Sequence, residues 1–326
     1  MKRNVHRLLL STLYLLASLL TACGSQQRLY TIGAFQTISH PTIDAVRAGF
    51  VQALADAGYQ DGENVHLDFQ NAQGEMANAP LIARKFVADK VDMIFAIGTP
   101  PLQAAVEAAP ETMPLVFTLV SDPWGAGAGT SMTEHLPNAT GILNTSPVDA
   151  ELALIKEILL GVQRVGLIYN AGEPNSRYEA RLFEEATAKE GLEVIEQTVA
   201  GPSEVLQAAQ MLAGQGVQAF PRIGDYATAS AYESIVKVGE ENGIPVFSID
   251  QEDIERGALA VIGWNRFEEG YAAGQLAVRV MKGESPADIP FQWPDREWLS
   301  VSLKAAETYG VTVPEAVVER ADKVIR

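Results

Sequence analysis

The sequence predicts an α/β protein built of two Rossmann-like lobes, each an open parallel sheet covered by helices, joined by hinge segments with a cleft between them. From Leu29 onward, short runs rich in β-branched and aromatic residues alternate with amphipathic stretches of helical length. The alternation occurs twice, and both copies carry the same landmarks. Gly33, Pro41 and Gly58 match Gly166, Pro174 and Gly191 without a gap, each 133 residues apart. Further on, the stretch from Val91 to Thr99 parallels that from Val217 to Asp225, and Met113 to Phe117 parallels Ile244 to Phe247.

In the first half, strands are expected at Leu29 to Phe35, Val65 to Gln70, Met93 to Ile97 and Leu115 to Val120. Helices are expected near Pro41 to Ala57, Asn78 to Ala88 and Pro100 to Ala109. In the second half the strands fall at Arg164 to Tyr169, Glu193 to Thr198, Ala219 to Ile223, Pro245 to Ile249 and Ala260 to Gly263. Pro41 and Pro174 suit a first helical turn, where a missing N–H costs nothing, and Gly58 and Gly191 suit the left-handed residue that ends a helix.

The amino terminus has a different character. Lys2, Arg3 and Arg7 precede an apolar run from Leu8 to Leu20, followed by Thr21, Ala22 and Cys23, the only cysteine. Thirteen residues at about 1.5 Å each cover roughly 20 Å, short of the ~30 Å of hydrocarbon a spanning helix crosses. The segment therefore reads as a cleaved export signal over residues 1–22. Leu20-Thr21-Ala22-Cys23 resembles the bacterial lipobox, in which the cysteine sulfur receives a diacylglycerol and becomes the new amino terminus. Cys23 is then the lipidation site, residues 23–28 form a tether, and the protein is extracytoplasmic, held at the cell membrane by lipid. The bland alternative is an ordinary secretory signal with an incidental cysteine.

Composition excludes several functions. Three of the 24 basic residues and none of the 41 acidic ones lie in residues 1–22, leaving 21 against 41 and a charge of −20, which disfavours nucleic acid as a partner. The mature chain has no cysteine for a disulfide beyond the lipidated one. Its three histidines, His40, His66 and His135, are isolated, so no metal site is expected. No cofactor fingerprint is present, because the glycines of Gly125-Ala126-Gly127-Ala128-Gly129 lack phosphate-loop or dinucleotide spacing. No nucleophile with a paired base is evident, so the chain is not expected to be an enzyme.

Open parallel sheets bind ligands beyond the carboxyl ends of their strands. Equivalent loops of the two lobes should therefore face each other across the cleft. The first pair holds Gln36 and His40 opposite Glu173, Asn175 and Ser176, and Asn71 follows the second strand. The third pair sets Gly98 and Thr99 against Asp225 and Tyr226, and the fourth sets Ser121 and Asp122 against Asp250. Thr99 and Ser121, with helix N-termini, would hold a carboxylate. Asp225, aided by Asp250 or Glu173, would hold an ammonium, and Phe35, Tyr226 or Trp264 would cover an apolar side chain. Thr99, Ser121, Ser176 and Asp250 could equally be helix caps, His40 a loop or cap residue, and the aromatics core.

At these residues the chain resembles the ABC transporter substrate-binding family that includes tryptophan- and tyrosine-type receptors. The matching stretches are His40-Pro41, Phe69 to Gly74, Ala83 to Asp92, Ser121-Asp122-Pro123 with Gly125-Ala126-Gly127, Tyr169-Asn170 with Glu173 and Asn175-Ser176, and Glu255 to Ala260. The resemblance implies a type I periplasmic-binding fold with crossings near Asn144 to Pro147, near Gly263 to Phe267 and after Met281. The lobes would then comprise residues 29–145 with 266–283, and 146–265 with 284–326. It also implies hinge closure on a small zwitterion, an aromatic amino acid by preference, and delivery to an ABC permease and its ATPase. An extracytoplasmic sensor domain is the alternative. The chain departs from its relatives in Ile223-Gly224-Asp225-Tyr226, where many read Pro-Thr-Asp-Asn, and at Asn265, a position commonly acidic.

Overall fold

The computed structural model describes residues 28–326. The expected signal, Cys23 and the tether up to residue 27 lie outside the described residues. Among the described residues no helix is long and apolar enough to cross a membrane.

The first lobe is a five-stranded parallel sheet in the order β2-β1-β3-β4-β5, formed by β1 (Tyr30–Gln36), β2 (Val65–Asn71), β3 (Met93–Ile97), β4 (Leu115–Val120) and β5 (Ala139–Leu143). Crossovers run through α1 (Pro41–Asp56), α2 (Asn78–Asp89) and α3 (Thr99–Ala108). β3 is buried at every position, as a central parallel strand covered on both faces should be. Two apolar clusters, one on each face of the sheet, form the core. Strand order reverses between β1 and β3, so their carboxyl ends open the crevice where such sheets bind ligands.

The chain then crosses to the second lobe. α4 (Val148–Ile158) packs on the second core, followed by β6 (Arg164–Tyr169), α5 (Pro174–Glu190), β7 (Glu193–Thr198) and α6 (Val205–Gly214). β6 pairs with β7, and Gln218 to Phe220 bridges β6 to the next strand through Gly166 N to Ala219 O and a parallel bridge between Phe220 and Val246. The strand expected at Ala219 to Ile223 is thus reduced to a bridge, because Pro221 has no N–H to extend the ladder. The strand expected at Pro245 to Ile249 is likewise cut to β8 (Phe247–Ser248). Between them lie α7 (Tyr226–Ser230) and α8 (Tyr232–Asn242), and β9 (Ala260–Trp264) pairs with β8.

At Arg266 the chain returns to the first lobe as α9 (Arg266–Met281), which lies against α1. Backbones approach closely there: a Cβ on Gly270 would fall on the Val46 carbonyl, and one on Gly49 on the Phe267 carbonyl. The third crossing lies later than the one expected after Met281. Ile289 and Phe291 pack in the first lobe's two clusters, and Gln292 bridges Ile142 on β5, so residues up to 292 belong with the first sheet and not with the second. Their apolar side chains have somewhere to go only beside β5. The second sheet is then completed by β10 (Glu297–Ser302), antiparallel to β9, and β11 (Lys323–Ile325), with α10 (Leu303–Tyr309) and α11 (Glu315–Glu319) between them.

The repeat landmarks behave alike in both lobes. Pro41 and Pro174 each open a helix, and Gly58 and Gly191 each sit just beyond one in the left-handed region (φ +87° and +69°).

Candidate functional site

Between the lobes lies a partly open cavity lined by residues of both. Its apolar wall is Ile38, Ile43, Leu119, Ala229 and Ile249. Six of the residues nominated from sequence line it: His40, Ser121, Asn175, Asp225, Tyr226 and Asp250. Arg222, Arg266, Thr42 and Asn144 also line it, and the sequence offered no signal for them. Arg222 stands within an apolar strand-like run and Arg266 opens a helix after a crossing, so both became visible only when the lobes were brought together.

The other nominees sit around the cavity without lining it. Gln36 is buried and donates to the Ile38 carbonyl at 2.8 Å, shaping the loop that carries His40. Asn71 donates to Ser39 Oγ at 2.8 Å. Asp122 Oδ1 accepts from Gly125 N at 2.8 Å and closes its own loop. Thr99 is not the N-cap expected: Gly98, at φ +105°, takes that position, and Thr99 Oγ1 accepts from Ser121 N at 3.3 Å. Phe35 is fully buried in edge contact with Phe86, hence core, and Trp264 donates to the Thr145 carbonyl at the first crossing.

The caps fall on other residues than the hydroxyls. His40 caps α1, its Nδ1 accepting from Thr42 N at 3.3 Å. Asp225 caps α7 through Thr228 N at 2.6 Å, while its second oxygen accepts from Asn170 N at 2.7 Å and Ser176 Oγ at 2.6 Å. Both Asp225 oxygens are therefore occupied by protein donors, and its assignment to an ammonium gives way to an anchoring task. Glu173 acts alongside it, accepting from Tyr226 N at 2.9 Å and from Ser176 Oγ at 3.3 Å. Burial and the neighbouring Asp225 push the Glu173 carboxyl up to about 8.

Asp250 is likewise occupied. It lies between two guanidiniums, paired with Arg222 and bonded to Arg266 at 2.6 and 3.1 Å. Burial works to raise its pKa, yet the two arginines hold it well below the usual carboxylate range. Arg222 also reaches Asp253 at 3.1 Å, Arg266 reaches Glu269 at 3.0 Å, and Arg256 reaches Asp253 at 2.7 Å. Arg256 also reaches Glu233 at 2.8 Å, so each arginine of the network is paired with carboxylates, as buried charges must be. Glu269 carries the network into the first lobe, accepting from Thr118 Oγ1 at 2.9 Å, Leu119 N at 2.8 Å and Asn144 Nδ2 at 2.6 Å. Leu119 sits at φ +56°, in the left-handed region, beside a register shift in β4. Backbone strain of that kind persists where the surroundings over-determine it, and here it aims Leu119 into the cavity.

Contacts across the cleft show the lobes closed on each other. Ser121 Oγ, from the first lobe, donates to Glu179 on α5, which also accepts from Ser146 at the crossing and from Gly224 N. Arg256 Nη1 meets His40 Nε2 at 3.2 Å, and Thr42 Oγ1 donates to Glu252 at 3.4 Å. One lining group stands without a protein partner: Asn175 Oδ1 is buried and accepts from nothing. Unpaired buried acceptors are uncommon, and this one belongs to a residue that lines the cavity.

This geometry has close counterparts. A tyrosine-binding protein of Clostridioides difficile (strain R20291) is 38% identical over 259 residues, 79% of this chain and 74% of that one. The structure of an ABC domain in complex with L-Trp from Streptococcus pneumonia is 28% identical, covers 91% of this chain and 100% of that one, and superposes with a TM-score of 0.86. A ligand-free, open substrate-binding protein from Clostridium difficile is 35% identical over 91% of this chain and 99% of that one, yet its TM-score is only 0.70. The open, ligand-free structure thus superposes less well than the L-Trp complex although its sequence is the more similar of the two. The family described as ABC transporter substrate binding protein matches residues 31–325, and the chain belongs to it.

Proposed function

We propose that this protein captures a free aromatic amino acid in the closed cleft, as the lipid-anchored extracytoplasmic receptor of an ABC importer. The unpartnered, buried Asn175 Oδ1, on a residue that lines the cavity, carries the reading, because an α-ammonium supplies the donor it lacks. Arg222 Nη1, whose one protein contact is a long 3.4 Å bond to the Ile223 carbonyl, is placed to favour the carboxylate. Ile38, Ile43, Leu119 and Ile249 offer the apolar wall that an aromatic ring needs. What the relatives bind supports the same class: one is named for tyrosine and another holds L-Trp. Cys23, in its lipobox setting, supports the anchor.

Isothermal titration calorimetry with L-tyrosine, L-tryptophan and L-phenylalanine tests the reading. At least one is expected to bind in the micromolar range or tighter. Asn175→Ala should weaken it by about tenfold to a hundredfold, the worth of a hydrogen bond to a charged group, roughly 1.5–3 kcal/mol. Absence of binding by all three, or unaltered affinity in the variant, overturns the proposal. Cys23→Ala should move the protein from the membrane to the soluble fraction; unchanged membrane retention rejects the anchor.

A further inference from the structure

A second space, lined by residues of both lobes, adjoins the cavity. It is lined by Gln73, Glu75, Asn170, Glu173, Gly201 and Pro202, among others. Two side chains line both spaces, Ile38 of the first lobe and Tyr226 of the second. They are the wall between the chambers. The Tyr226 phenol spans the cleft to Gly98, and a Cβ built on Gly98 would fall directly on its hydroxyl. Gly98 lies at φ +105°, so the missing side chain serves both its backbone conformation and the room for the phenol.

Tyr226 is also firmly held. Its backbone N–H is fixed by Glu173, and the helix it opens is capped by Asp225, itself tied to Ser176 and Asn170. Two acids that the sequence suggested for an ammonium thus aim an aromatic ring across the cleft. The position belongs to the segment Ile223-Gly224-Asp225-Tyr226.

We infer that Tyr226 and Gly98 form a gate, assembled only when the lobes meet, that limits the binding chamber to one free amino acid and excludes the same residue extended as a dipeptide. The inference rests on the amino-acid reading above and deepens it. A free amino acid fits behind the ring, whereas an added peptide unit must pass into the outer chamber through the space the phenol fills. The gate also retards escape, since a ligand leaves on that side only when the lobes part.

The test measures L-tyrosine, L-tyrosylglycine and glycyl-L-tyrosine against wild type, Tyr226→Phe and Tyr226→Ala, by calorimetry and stopped-flow release. Thermal unfolding of each ligand-free variant confirms that it is folded. Wild type and Tyr226→Phe, which both keep the ring, should bind L-tyrosine and discriminate against the dipeptides by a hundredfold or more. Tyr226→Ala should gain at least tenfold in affinity for one dipeptide and release L-tyrosine at least tenfold faster. Tyr226→Ala that still excludes both dipeptides and releases L-tyrosine at the wild-type rate overturns the gate. Gly98→Ala gives an independent arm: it should weaken L-tyrosine, and adding Tyr226→Phe, which removes the clashing hydroxyl, should restore part of the loss. No restoration refutes the contact. Should wild type bind a different free amino acid and no aromatic one, the aromatic reading fails, while the same comparison with that acid and its glycine dipeptides still decides the gate.

Discussion

Asp250→Asn strikes the point where the cavity's two arginines are held, and its cost follows from the charges around it. Asp250 faces Arg222 on one side and Arg266 on the other, all three buried. Each charge pair, with centres roughly 4 Å apart at an effective dielectric near 20, is worth about 4 kcal/mol. Two pairs therefore contribute about 8 kcal/mol gross, against several kcal/mol spent in desolvating the carboxylate. A net loss of about 3–5 kcal/mol is expected, because the substitution takes from the buried Arg222 and Arg266 the carboxylate that lies between them. Urea unfolding of the ligand-free protein at pH 7 measures it, and Tm should fall by roughly 6–15 °C. The double variant Arg222→Met with Asp250→Asn restores the charge balance and should lose less than the sum of the two single changes. The carboxyl is held below its ordinary pKa, so its stabilisation is fully present above pH 3.8 and disappears as pH falls through the depressed value. A loss below 1 kcal/mol, or strict additivity in the double variant, refutes this account of the network.

Other outcomes follow from the same structure. Glu151 is fully buried with one oxygen unpartnered, and burial pushes its carboxyl up to about 8. Because the folded pKa lies above the ordinary 4.5, its contribution is complete below pH 4.5 and is lost as pH rises through 8. Glu151→Gln should therefore exceed wild type by on the order of 2–5 kcal/mol at pH 8.5 and match it near pH 4.5; a difference that ignores pH rejects the assignment. His40 is held below its ordinary 6.5 by burial, with Arg222 and Arg256 adding to the effect and Asp250 and Asp253 opposing it. Glu233 and Glu252 of the second lobe also face the ring's surroundings. As the neutral ring is favoured in the folded state, stability is lost as pH falls below 6.5. Ligand affinity of the closed form should weaken between pH 7.5 and 5.5 in wild type more than in His40→Asn, which keeps a cap but does not titrate; parallel profiles sink this role for His40. Gly270→Ala drives a Cβ into the Val46 carbonyl across the α1–α9 contact and should cost about 1–3 kcal/mol in denaturant unfolding, with no cost expected only if the helices can separate freely.

Much of the architecture was legible because it rests on local periodicity. β3, β4, β6 and β7 fall on the residues expected from β-rich runs, and the paired Pro and Gly landmarks mark real helix boundaries in both lobes. The failures have local causes too. Pro221 broke an expected strand, and Gly98 took the cap position from Thr99 by entering a region of φ closed to most residues. Residues 286–292 carry no periodicity that names their sheet, so their place beside β5 emerged only from packing.

The site was legible as a set of loops but not as chemistry. Loop membership follows from strand order, since carboxyl ends of parallel strands gather at the switch point, and six nominees do meet at one cavity. What each polar group does depends on its partners, and those come from distant parts of the chain: Ser121 bonds Glu179, Asp225 bonds Asn170 and Ser176, and Asp250 bonds Arg222 and Arg266. By itself the sequence determined a doubled α/β chain with an acidic composition and a two-lobed family resemblance, because composition and period are properties of neighbours along the chain. Only the tertiary structure decided which acids are already spent on arginines and caps, which amide oxygen is left open, and where a tyrosine meets a glycine across the cleft. Those are properties of neighbours in space.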